Sequence, residues 1–112
     1  STPSLDKLVR TFVYDRQEKG NFTVGDEFTA NAPIRFETAI TTQANWKIID
    51  DTHLLLTTGT EQMTVTIEAS GKVAFTSETI EVNSPAYKRI GISLKEQSKD
   101  GYIRLTMRTK QL

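Results

Sequence analysis

Three stretches of this chain alternate strictly between apolar and other residues. Met63, Val65, Ile67 and Ala69 alternate with Thr64, Thr66 and Glu68. Ile90, Ile92 and Leu94 alternate with Gly91, Ser93 and Lys95. Ile103, Leu105 and Met107 alternate with Arg104, Thr106 and Arg108. A period of two sends one set of side chains to one face of an extended backbone and the other set to the opposite face. That is the pattern of antiparallel strands with one solvated side. Turn signals separate such runs. Asp100-Gly101 predicts a hairpin joining residues 88–97 to 102–109, and Ser70-Gly71 predicts one joining 62–69 to 72–76. Asp50-Asp51 and Thr58-Gly59 bracket the Leu54 strand, while Asn31-Ala32-Pro33 and Asn83-Ser84-Pro85 break the chain where ladder donors are not needed. The one helical segment expected is a short turn over Leu5–Val9, capped by Ser4 and leading into a strand at Phe12-Val13-Tyr14. The expected fold is all-β: an antiparallel meander of about eight to ten strands, closed or nearly closed as a small barrel or half-barrel. Its 112 residues suit a single domain over 1–112.

Charge and composition narrow the function. Lys and Arg number 14, as do Asp and Glu, so no net charge draws the chain to nucleic acid or an anionic membrane. The absence of cysteine excludes disulfides, thiolate metal sites and a thiol nucleophile. No apolar run reaches the roughly 18 residues of a membrane span. The start at Ser1-Thr2-Pro3-Ser4 rather than at Met reads as that of a truncated chain, the alternative being the stump left after a removed leader or anchor.

The stretch Ala44–Thr58 holds the only tryptophan, Trp46, and the only histidine, His53. Asp50, Asp51 and His53 could in principle hold a metal or serve an enzyme, but a turn gathers polar residues anyway, and there is no second histidine to complete an ordinary site. His53 is therefore read as a turn-edge residue. The carboxylates Glu18, Asp26, Glu27 and Glu37 fall at turns or polar strand positions, where charged residues are ordinarily solvated. The chain carries none of the short hydrolase, metalloprotease or phosphate-loop motifs. Lys88, Arg89, Arg104, Arg108 and Lys110, near Tyr87 and Tyr102, invite comparison with a nucleic-acid face, but they also suit the polar side of ordinary strands. Asn21-Phe22-Thr23 matches a glycosylation sequon and is read as chance. No enzyme activity, metal, cofactor or nucleic-acid partner is expected. Phe12, Phe36, Trp46, Leu54, Leu56, Met63, Val65 and Phe75 are expected to point into one interior, which is either packed solid, the default, or open to one apolar ligand. Were it open, Phe12, Phe36, Trp46, Leu54, Leu56, Met63 and Phe75 would line the pocket.

Leu5-Asp6-Lys7-Leu8-Val9-Arg10-Thr11-Phe12 resembles the opening of bacterial lipocalin-like domains, with Arg10 and Phe12 where those have Gly and Trp. Ala44-Asn45-Trp46-Lys47-Ile48, followed by Asp50-Asp51-Thr52-His53-Leu54-Leu55-Leu56-Thr57, resembles a later segment of the same domains. It is also similar to the corresponding stretch of ToxS-type and VtrC-type proteins, the periplasmic partners of ToxR-like membrane regulators. The likeness covers roughly residues 5–58. It implies a lipocalin-like barrel in a non-enzymatic, extracytoplasmic domain held to the membrane by an anchor. Such a domain would pair with a membrane-bound transcription regulator, with help in binding an apolar amphiphile such as a bile salt as a further role. The alternative is a stand-alone lipocalin-like lipoprotein that binds a small hydrophobic ligand.

Overall fold

A computed structural model describes residues 5–14, 20–80 and 86–111. Among them nine strands run in chain order: β1 (Leu5–Tyr14), β2 (Phe22–Ile34), β3 (Glu37–Thr42), β4 (Asn45–Asp50), β5 (His53–Thr57), β6 (Glu61–Ala69), β7 (Val73–Ile80), β8 (Tyr87–Leu94) and β9 (Ser98–Gln111). All pair antiparallel, in a six-stranded sheet ordered β1-β2-β9-β6-β5-β4 and a three-stranded sheet ordered β3-β8-β7. The chain is all-β, as its alternation predicts. The two sheets pack as an open sandwich and do not close into a barrel.

The alternating runs supply the core. Val65 and Ile67 of β6, Ile103, Leu105 and Met107 of β9, and Leu54 and Leu56 of β5 face Ile90, Ile92 and Leu94 of β8 and Val73 of β7. Phe36, between β2 and β3, stacks on Phe28 of β2 with ring centroids 4.4 Å apart. The β4–β5 hairpin turns at Asp51-Thr52 and the β5–β6 connection at Thr58–Thr60, where the sequence signals lie.

Four expectations are corrected. Leu5–Val9 is extended, as part of β1. Residues 7–14 pair one for one with Phe22–Thr29, so β2 satisfies the backbone that a helical turn would have had to satisfy locally. Ser4, the expected cap, lies outside the described residues, as does Asn83-Ser84-Pro85. Asp100-Gly101 is not a turn either; β9 runs straight through it. The glycine is needed for packing, since a Cβ there would meet Ser70 Oγ at 2.5 Å and the Phe28 ring at 3.1 Å. The chain bends instead at residues 95–97 and crosses between sheets, because β8 and β9 do not pair. Ser70-Gly71 likewise carries the chain from β6 in one sheet to β7 in the other, so it too closes no hairpin. Asn31-Ala32-Pro33 is absorbed within β2 as a register shift against β9 between Thr29 and Ile34.

Three strands cannot cover six. The outermost strands of the larger sheet overhang its partner, and every residue of β1 is exposed. Truncating the core should therefore cost far more than truncating the overhang. Ile92→Ala should lower unfolding free energy by about 2–5 kcal/mol, and Phe12→Ala by about 1 kcal/mol or less. Urea unfolding of both variants measures the contrast.

Candidate interaction surface

The even-numbered residues of β2 point to the inner face of the six-stranded sheet, as the burial of Asp26, Phe28 and Ala30 shows. Register then places Leu8 opposite Phe28, Arg10 opposite Asp26, Phe12 opposite Val24 and Tyr14 opposite Phe22, all on that face. Phe12 stacks on Phe22 at 5.2 Å and lies 5.5 Å from Tyr14, while Tyr14 and Phe22 are 6.0 Å apart. Phe22 packs against the core, whereas Phe12 and Tyr14 are 56% and 60% exposed. The core face of the sheet therefore continues outward as an aromatic ledge that nothing in the described chain covers. On the opposite face of β1, Val9 and Val13 are exposed as well.

Asp26 fastens this ledge. Its carboxylate accepts from Arg10 Nε at 2.7 Å and Arg10 Nη2 at 2.9 Å, a two-pronged pair whose arginine is 60% exposed and whose aspartate is buried. The Thr38 hydroxyl, on β3 of the other sheet, also helps to hold this carboxyl in its charged form. One carboxylate thus ties β1 to β2 through its side chain, close to Thr38 of β3. The Arg10 hydrogen bonds hold the Asp26 carboxyl below the ordinary carboxylate range, against the opposing effect of burial.

The other candidates are placed differently. Among the seven residues expected to line a pocket, Phe36, Leu54 and Leu56 are buried in the core. Trp46 of β4, Met63 of β6 and Phe75 of β7 are partly buried against it, and Phe12 stands on the ledge. His53 Nδ1 lies 2.8 Å from Asp50 Oδ1 at the exposed β4–β5 turn. The Thr52 backbone N–H, and then His53, hold the Asp50 carboxyl below its usual range. Among the described residues, no group of three or more His, Cys, Asp or Glu is placed to hold a metal ion. The basic residues are divided between sheets, Lys88 and Arg89 on β8 and Arg104, Arg108 and Lys110 on β9. Arg89 pairs with Glu37 at 3.1 Å and Arg104 with Glu68 at 3.1 Å, and Lys88 donates to the Ala44 carbonyl at 3.1 Å. Asn21, the sequon residue, is buried, and its Oδ1 accepts from the Thr109 backbone N–H at 2.9 Å.

Tyr14, Phe22 and the Arg10–Asp26 pair were not singled out from the sequence as a site. Their signal is present in two inward rows of matching parity, Leu8-x-Arg10-x-Phe12-x-Tyr14 and Phe22-x-Val24-x-Asp26-x-Phe28, with one charge of opposite sign in each. The helical reading of Leu5–Val9 hid the first row. No family model and no curated protein matches this chain.

Asp26 has a depressed native pKa, so its contribution is fully present above the unfolded value near pH 4 and is lost as pH falls through the lower native value. Arg10→Ala should cost about 1–3 kcal/mol at pH 7. It should speed amide hydrogen exchange in β1 while sparing Leu54 and Ile103. The difference from the parent should shrink below pH 4; a difference that is constant with pH would refute this account of Asp26.

Proposed function

We propose that this chain is a non-enzymatic accessory domain that works by apolar contact with a partner. The single observation that carries the reading is the uncovered ledge of Leu8, Phe12 and Tyr14 beside Phe22. Rings held in place by stacking, joined to a core and left half open to water, form an anchor of the kind that dominates protein interfaces. The likeness of residues 5–58 to ToxS-type and VtrC-type domains supports a particular partner, the extracytoplasmic domain of a membrane-bound transcription regulator. In this reading the protein is periplasmic and membrane-anchored, and the regulator's domain covers the inner face of β1 and β2. The pair would then bind an apolar amphiphile such as a bile salt.

A second reading rests on a cleft of about 630 Å³ at the β6–β7 end of the sandwich. Ile67, Ala69 and Val73 give it apolar walls, and Lys72, Lys95, Asp51 and Glu68 also line it. That combination suits a small amphiphile bound by a stand-alone lipoprotein.

The regulator's domain should raise the melting temperature of this chain, since a ligand of the folded state stabilises it by mass action. Phe12→Ser with Tyr14→Ser should weaken binding at least tenfold while leaving the isolated domain folded. Equal melting temperatures with and without the partner would remove the first reading. A bile salt that protects the isolated domain, with protection lost in Lys72→Glu with Lys95→Glu, would favour the second.

A further inference from the structure

The ledge concerns the face of β1; its backbone edge, unpaired among the described residues, is a separate feature. Natural sheets protect their edges with short strands, bulges, prolines or charges. The opposite edge of the same sheet, β4, is short, carries Lys47 and Asp50, and shifts register between Ile48 and Asp50. In the smaller sheet, edge strand β3 is short and begins with Glu37, and edge strand β7 carries Ser77, Glu78 and Thr79. Edge strand β1 is different. From residue 8 to residue 14 it pairs with β2 in unbroken register and contains neither Pro nor Gly. Its single charge there, Arg10, is already engaged by Asp26.

We propose that this edge is a dimerisation site, at which β1 pairs antiparallel with β1 of a second copy about a two-fold axis through Thr11. Residues directly opposite in an antiparallel pair share a face, so a two-fold perpendicular to the sheet must pass through a residue paired with itself. Centring on Thr11 sets Val9 against Val13 on the outer face. On the inner face it sets Leu8 against Tyr14 and Arg10 against Phe12, with the guanidinium beside an aromatic ring. Every apolar residue of 8–14 then gains an apolar or cation–π neighbour. Other centres do worse: Arg10 would face its own copy, Val9 would set Arg10 against Leu8, and Phe12 would leave Leu8 and Val9 beyond the paired stretch.

Leu8, Val9, Phe12, Val13 and Tyr14 are between 43% and 60% exposed. Pairing along them would shield the flanks of these side chains, at most about 1,000 Å² over both copies, and add a ladder of backbone hydrogen bonds along the edge. The occupant is thus a second copy, whose strand complements this one residue for residue, and the product is one continuous sheet through both molecules.

Thr11 tests the register without touching the ledge, because its side chain lies on the opposite face from Phe12 and Tyr14. At about 100 μM, sedimentation should give twice the mass of the chain, with a dissociation constant on the order of 10 μM or tighter. Thr11→Lys and Thr11→Glu, which place like charges face to face, should each sediment as monomers with unchanged circular dichroism. Mixing the two should restore the dimer. Thr11→Cys should cross-link to itself under mild oxidation, and Val9→Cys should do so only when mixed with Val13→Cys. A parent chain that is monomeric at that concentration overturns the proposal. So does a dimer that persists in both Thr11 charge variants, or Val9→Cys cross-linking to itself as readily as Thr11→Cys.

Discussion

The mismatch between six strands and three governs this molecule. A sheet keeps its apolar face dry only where another layer lies over it. Here β3, β8 and β7 cover the middle of the larger sheet, where Ile103, Leu105, Val65 and Leu54 meet Ile90 and Ile92. Outside that footprint the pattern of side chains does not change; only the cover stops. Phe12 and Tyr14 therefore occupy positions that would be core in a wider sandwich, and at the far edge Ile48 is 47% exposed for the same reason. On the inner face, the exposed apolar residues Leu8, Phe12, Tyr14 and Ile48 continue the interior beyond its cover.

A strand beyond the cover has little hydrophobic burial to hold it, so its attachment depends on polar chemistry. The Asp26 carboxylate supplies that link, taking both prongs of Arg10 while the Thr38 hydroxyl of the facing sheet helps to hold it charged. A charge-assisted, two-pronged pair is directional, where apolar contact is not. It sets the registration of β1 on β2 as well as its adhesion, and thereby aims Phe12 and Tyr14 beside Phe22.

The sequence made the strands legible because alternation acts locally. Met63–Ala69, Ile90–Leu94 and Ile103–Met107 each show which side faces inward without knowledge of any neighbour. The β4–β5 turn at Asp51-Thr52 was legible for the same reason. Sheet membership was not, since Ser70-Gly71 and Asp100-Gly101 have the composition of hairpin turns whether the chain folds back, crosses or runs on. At Gly101 the cause is distant in sequence: Ser70 and Phe28 leave no room for a side chain. The ledge was half legible. Phe12 stood out as a large apolar residue, but its exposure depends on how many strands lie opposite, and no local pattern records that number. Asp26 looked like an ordinary polar strand position, and only its pairing with Arg10 accounts for a buried carboxylate.

Strand β9 lies between β2 and β6 and, among the described residues, is the only link between the two halves of the large sheet. Its residues, 98–111, are made after everything they join. Before β9 pairs, β1–β2 and β4–β5–β6 share no ladder. The large sheet becomes one object in a single late event of long sequence separation, which is entropically slow. Until then the two halves of the large sheet are joined only through the loops and the smaller sheet, and the insertion of β9 is the step that fixes their relative register.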